Sequence, residues 1–173
     1  TLSSPKSSSS RPAARKTASK APAKSGAKPA AKSGVRGQPA GEIRIIGGQW
    51  KRTKLAVPDH AGLRPTPDRV RETLFNWLGQ DLGGWRCVDA FAGTGALGFE
   101  AASRGAASVL MLEQDAQLVS LLGETQKRLS ASAVQVQKGD AMMALQRLSP
   151  STLDVIFLDP PFEALFFEKA LQA

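Results

Sequence analysis

From Trp85 to Asp159 the chain repeats one rhythm: a short apolar run, a loop, then a helical pattern. "RCVDAFA", "SVLMLEQ", "AVQVQKGD" and "LDVIFLD" read as four strands. "ALGFEAASRG", Asp115 to about Ser130, and a short segment ending at Leu148 read as the helices between them. Strands alternating with helices predict parallel strands joined by right-handed crossovers, an open α/β sheet. Sheets of this kind bind ligands beyond the carboxyl ends of their strands. Asp89, Glu113, Asp140 and Asp159 all fall at such ends, which sets four carboxylates along one edge.

Two segments precede this pattern. "EIRIIGGQWKRTKLAVP" alternates short apolar runs with Gly-Gly and a basic cluster, and predicts a small β-hairpin over residues 42–60. Lys51, Arg52 and Lys54 fall on or near its second arm. "RPTPDRVRETLFNWLGQDL" then predicts a helix with Thr66 as N-cap, Pro67 as first helical residue and Asp68 as a favourable charge in the first turn. Val70, Leu74 and Trp77 recur at helical spacing and are expected to form its buried stripe.

The formal charge of +8 over 173 residues is unevenly spread. Residues 1–41 hold Lys and Arg but no acid, so the rest of the chain is close to neutral. A tail of Ser, Ala, Pro, Lys and Gly buries too little apolar surface to offset its ordering entropy, and it is expected to be disordered. It suits attraction to RNA or DNA phosphates through counterion release; a solubilising extension is the alternative. An organelle transit peptide is opposed by the regular lysines and by prolines that prevent an amphipathic helix. The lone Cys87 excludes an internal disulfide and fits a reducing, cytoplasmic setting. No apolar stretch approaches the roughly 18 residues needed to cross a bilayer.

"FAGTGALG", Phe91 to Gly98, carries the spacing G-x-G-x-x-G between a strand and a helix. Gly93 and Gly95 let the backbone turn sharply and approach a ligand, while Gly98 lets helix pack on strand. Glu113 could bind ribose hydroxyls of either a dinucleotide or S-adenosylmethionine. Asp89 separates the two: a carboxylate at the mouth of the loop repels a pyrophosphate and attracts the ammonium of a methionine moiety. Asp140 either accepts a hydrogen bond from an adenine amine or caps the helix that follows it.

"LDPPF" supplies the second half of a site. Consecutive prolines stiffen the backbone and remove N–H donors, leaving carbonyl oxygens free to accept. Asp159 and the Pro160 carbonyl could take the two hydrogens of an exocyclic NH₂ group, with Phe162 stacked on the ring that carries it. Held this way, the amine lone pair turns toward an electrophile, and positioning supplies the rest, with no metal required.

These segments carry a family resemblance. "IRIIGGQWKRTKL", "LRPTPDRVRETLFNWL", "DAFAGTGALGFEAASRGA", "LEQD", "GDAM" and "DPPF", spread over residues 43–169, resemble the bacterial 16S ribosomal RNA guanine-N2 methyltransferases that modify the guanine conventionally numbered 966. The resemblance implies a seven-stranded class I methyltransferase core that uses S-adenosylmethionine. It also implies a monomer acting on RNA within a small ribosomal subunit or its precursor. Carried over by position, Asp89, Phe91, Ala92, Gly93, Thr94, Gly95, Glu113, Asp140 and Ala141 would bind the cofactor, with Arg64 and Thr66 lining its pocket. Asp159, Pro160, Pro161 and Phe162 would hold the guanine, and Arg44, Lys51, Arg52 and Lys54 would meet RNA. Against this pattern the chain reads as a core, residues 61–173, that stops after its fourth strand.

Two other readings share parts of the pattern. A DNA adenine-N6 or protein glutamine-N5 methyltransferase would use the same proline turn, and an NAD(P)-dependent oxidoreductase the same glycine loop. Among single residues, Trp50 beside Lys51 is a candidate RNA contact, and Trp77 and Cys87 are expected in the core. His60 is expected at the surface rather than as a base, and Arg69 and Arg71 fit either helix-surface charges or phosphate ligands.

Overall fold

The computed structural model describes residues 39–149 and 152–160. An antiparallel hairpin opens them: β1 (Pro39–Arg44) pairs with β2 (Lys54–Pro58), placing Ile43 opposite Leu55. The first strand thus begins three residues earlier than the sequence pattern suggested, inside the segment read as tail. Lys51 and Arg52 lie in the connecting turn and Lys54 opens the second arm.

After α1 (Asp68–Leu78) come β3 (Arg86–Asp89), α2 (Ala96–Ser103), β4 (Ser108–Glu113), α3 (Ala116–Leu129), β5 (Val134–Lys138), α4 (Ala141–Leu145) and β6 (Val155–Phe157). β3, β4, β5 and β6 form one parallel sheet in the order β5-β4-β3-β6. The order reverses between β3 and β6, which makes their carboxyl ends the expected ligand crevice.

Each strand sends alternate residues to opposite faces. Cys87, Val109, Met111, Val134 and Phe157 join the larger apolar cluster, with residues of the hairpin, α1, α2 and α3. Val88, Leu112, Ala141 and Leu145 form a smaller cluster on the other face, packed by α4. Cys87 is buried as expected, and burial pushes its thiol up to about 11.

All eight residues of α2 are buried, which explains why "ALGFEAAS" lacks a polar face. The sheet covers one side and the hairpin turn the other. Gly48 has a φ of 70°, and a Cβ there would stand 1.8 Å from the Ser103 carbonyl oxygen, so only glycine allows this approach. Ser103 Oγ donates to the Gly47 carbonyl at 2.6 Å and accepts from the Trp50 amide at 2.9 Å.

The docked turn is anchored by a buried carboxylate. Glu100 accepts from the amides of Ile46 (2.7 Å) and Gly47 (2.8 Å) and from Arg104 Nε (2.8 Å), and lies 3.5 Å from Arg71 Nη1. Arg71 also donates to the carbonyls of Arg44 (2.9 Å) and Thr66 (3.1 Å), and Arg104 stacks on the Phe75 ring, 4.9 Å from its centroid.

This cluster corrects the reading of α1. Its buried residues are Arg71 and Phe75, whereas Val70 and Trp77 are 52% and 82% exposed. Turning the helix by one residue moves the stripe, and the ion pairs of Arg71 with Asp68 (2.5 Å) and Glu100 (3.5 Å) together with the Phe75–Phe157 contact (5.8 Å) favour that turn. Arg71 is therefore neither a surface charge nor a phosphate ligand, while Arg69 is exposed. The cap is corrected too: the helix starts at Asp68, Pro67 occupies the N-cap, and no side chain caps it.

Removing the hub should unseat the hairpin. Glu100→Ala leaves two buried guanidiniums and two amides short of an acceptor, so a loss of about 3–5 kcal/mol is expected in urea unfolding. A loss below about 1 kcal/mol would mean that apolar contacts alone hold the hairpin.

Candidate functional site: a carboxylate-edged cleft

β3 delivers Asp89 to the sheet's carboxyl edge, and the chain then turns through the glycine loop into α2. Gly93 (φ 51°) and Gly95 (φ 77°) take left-handed backbone, and Gly95 caps the helix. The turn is pinned by Gly95 N donating to Ala92 O at 2.6 Å and Ala92 N to Leu112 O at 2.9 Å. At Gly98 a Cβ would approach Met111 Cε to 2.5 Å, so the expected close packing of helix on strand is present.

Beyond these ends lies a cleft of about 310 Å³, within the usual size range for small-ligand sites. Asp89, Phe91, Ala92, Gly93 and Thr94 line it from the loop, and Glu113, Ala141, Asp159 and Pro160 from the other strand ends. Arg64 and Thr66 line it from the segment ahead of α1. The structure thus gathers most of the residues expected to bind a cofactor. Pro161 and Phe162, expected to hold a base, lie outside the described residues.

The three carboxylates are held differently. Glu113 accepts from the amides of Gly93 (2.8 Å), Gln114 (2.8 Å) and Asp115 (2.9 Å), which ties the second strand end to the glycine loop. Asp159 accepts from the Thr66 hydroxyl at 2.5 Å. Asp89 is 1% exposed; its Oδ2 accepts from Gly98 N at 2.9 Å, and its Oδ1 is buried without a hydrogen-bond partner among the described residues. Burial pushes its carboxyl up to about 7, against the opposing Gly98 bond and a weaker pull from the Phe91 amide, and the negative charges of Asp159 and Glu113 add to the rise. Such an orphaned oxygen beside a cleft calls for a donor, best a cationic one.

Asp140 takes the capping role. Its Oδ1 accepts from Met142 N (2.8 Å) and Met143 N (3.1 Å) at the start of α4, while Gln114 Nε2 donates to Oδ2 at 2.9 Å. Its neighbours Gly139 and Ala141, not Asp140 itself, line the cleft.

His60, Leu63, Gln114, Asp115 and Leu118 also line the cleft, and the sequence reading had singled out none of them as ligands. His60 Nε2 lies 3.3 Å from Asp115 Oδ2, across the cleft's rim. A histidine in a Pro- and Gly-flanked loop gives no local signal of this, because the partner stands on a different strand–helix junction. Of the residues expected to meet RNA, Arg44, Lys51, Arg52 and Lys54 are exposed, and Arg52 adopts a left-handed φ of 69°. Trp50 is half-buried and packs on the larger core cluster.

Sheet order, glycine loop and acidic edge together define a Rossmann-like methyltransferase fold. A solved Escherichia coli protein assigned as a methyltransferase, yhhF, matches it with a TM-score of 0.68 at 42% identity, over 76% of this chain and 71% of that one. The C-terminal domain of precorrin-6Y C5,15-methyltransferase from Rhodobacter capsulatus shares the fold alone, at 16% identity and a TM-score of 0.53, over 63% of this chain and 58% of that one. Residues 43–173 match the family described as Conserved hypothetical protein 95, and the chain belongs to it. Over 133 residues the chain is 47% identical to ribosomal RNA small subunit methyltransferase D of Escherichia coli K12, covering 76% of this chain and 66% of that protein. With the Haemophilus influenzae protein of the same name it shares 43% over 134 residues, covering 76% and 69%. The chain thus spans about two thirds of the length of these relatives.

The state of Asp89 makes stability depend on pH. Its folded pKa stands above the unfolded value, so the native state binds the extra proton between pH 3.8 and about 7. The contribution of Asp89 to stability is fully present below that window and is lost as pH rises through it. Asp89→Asn should flatten this slope in unfolding curves measured at several pH values; an unchanged slope would place the titration elsewhere.

Proposed function

We propose that the full-length protein transfers a methyl group from S-adenosylmethionine to the exocyclic N2 amine of a guanine in small-subunit ribosomal RNA. The observation that supports this reading is the buried oxygen of Asp89, without a hydrogen-bond partner among the described residues, on a residue that lines the same cleft as Asp159 and Pro160. The names of the relatives at 47% and 43% identity support the RNA class.

When bound, S-adenosylmethionine would supply an electrophilic methyl on a sulfonium. The chain's own residues would do the rest. Asp89 would accept from the ammonium of the methionine moiety, which restores a partner to Oδ1 and favours its ionised form. The glycine loop would let the backbone lie against the ligand, and Glu113, already held by three amides, would present its remaining acceptor capacity to ribose hydroxyls. Ala141 and Gly139 would flank the adenine, with Asp140 occupied at the helix cap. Asp159 and the Pro160 carbonyl would accept the two amine hydrogens of the guanine and fix the direction of its lone pair, with Pro161 and Phe162 completing the base pocket. Exclusion of water and alignment for in-line attack would then supply most of the rate. The exposed Arg44, Lys51, Arg52 and Lys54 would contact phosphates, with Trp50 beside them. We further propose that the protein acts as a monomer in the cytoplasm, on the subunit or its assembly precursor.

The full-length protein is expected to transfer labelled methyl from S-adenosylmethionine to small-subunit particles from cells lacking the enzyme. Nucleoside analysis should give N2-methylguanosine; N6-methyladenine or labelled protein would move the assignment to another amine. Asp159→Ala should slow transfer by about 100-fold or more. In thermal shift, S-adenosylmethionine and not NAD should stabilise the fold. Asp89→Asn should weaken cofactor binding by about 10–100-fold, as expected for removing one member of a buried charged pair.

A further inference from the structure

Thr66 stands in the wall of the cleft, where the sequence pattern predicts a capping role and the family resemblance implies a place against the cofactor. The residue lines the cleft but its hydroxyl does not cap α1: Thr66 Oγ1 donates to Asp159 Oδ2 at 2.5 Å, across 93 residues of chain.

The backbone that carries this hydroxyl is constrained from both sides. Pro65 and Pro67 flank Thr66, which fixes φ in each neighbour and restricts Thr66 itself to extended conformations. The Thr66 carbonyl accepts from Arg71 Nε at 3.1 Å, and Arg71 is fully buried and paired with Glu100. A rigid corner, clamped from the protein interior, therefore delivers one hydroxyl to one oxygen of an otherwise exposed aspartate. Asp159 follows β6 by two residues and lies outside every helix and strand among the described residues. A carboxylate so placed would sample several rotamers unless a neighbour held it.

We propose that Thr66 is a positioning residue for Asp159: its hydroxyl occupies Oδ2 and turns Oδ1 toward the nucleobase amine. The assignment rests on the methyl-transfer reading above and deepens it. A hydroxyl donor is what this task requires, because a carboxylate has no donor of its own and a backbone N–H is missing at both flanking prolines. Serine would keep the donor on the same constrained corner. Valine would keep the shape and lose it.

Steady-state methyl transfer to small-subunit particles by the full-length protein separates the possibilities. Thr66→Val should lower kcat by about 10–100-fold, with little change in KM for S-adenosylmethionine, and Thr66→Ser should return kcat to within about 3-fold of the original. In an Asp159→Ala background, measured under single turnover, Thr66→Val should cost no more than about 2-fold further, because its effect passes through the missing carboxylate. A raised KM for S-adenosylmethionine at unchanged kcat would overturn the proposal in favour of a cofactor-wall role. Additive losses in the double variant would overturn it in favour of an independent one, and lowered thermal stability at unchanged kcat in favour of a purely structural one. If the unsubstituted protein methylates no particle although S-adenosylmethionine stabilises it, the substrate reading itself falls, and the positioning role with it.

Discussion

Glu100 is the carboxylate on which the arrangement around the cleft depends. A fully buried negative charge on a helix is tolerable only if its environment answers it, and here two hairpin amides and the guanidinium of Arg104 do so, with Arg71 close by. The same contacts have two structural results. They seat the hairpin turn on α2, where Gly48 permits backbone-to-backbone approach, and they hold Arg71 so that it can grip the carbonyls of Arg44 and Thr66. The clamp on the cleft wall is therefore continuous with the packing of the core.

The chemistry of the cleft follows from how unequally its carboxylates are satisfied. Glu113 is surrounded by amide donors, and Asp159 has a hydroxyl. Asp89, the most buried of the three, keeps one oxygen without a hydrogen-bond partner among the described residues. A cleft lined by these three acids suits a ligand that brings a cation better than it suits a diphosphate. That preference separates this glycine loop from the dinucleotide loops whose spacing it shares, even though both sit between a strand and a helix.

Much of this was legible in the sequence because it is local. The strand–loop–helix rhythm, the carboxylates at strand ends and the need for glycine at 93, 95 and 98 each express a period or a backbone demand within a few residues. The helix at 68–78 shows where such reasoning fails. Leu74 of the expected stripe packs on the core, yet Val70 and Trp77 are exposed and the buried face is the one carrying Arg71, since Asp68 and the distant Glu100 answer its charge and Phe157 meets Phe75. Periodicity counts arginine as polar and so assigns it to solvent.

Asp140, Thr66 and His60 differ for a related reason. Each has several possible partners, and only the folded chain decides which comes within reach: the amides of α4, the carboxylate of Asp159, the N-cap of α3. The sequence by itself determined the parallel α/β sheet, the glycine turn and the acidic edge, because those follow from hydrophobic period and backbone sterics. Tertiary structure alone decided which acids stay open to a ligand, which face of α1 turns inward and what orients Asp159, because hydrogen bonding and desolvation depend on neighbours tens of residues away.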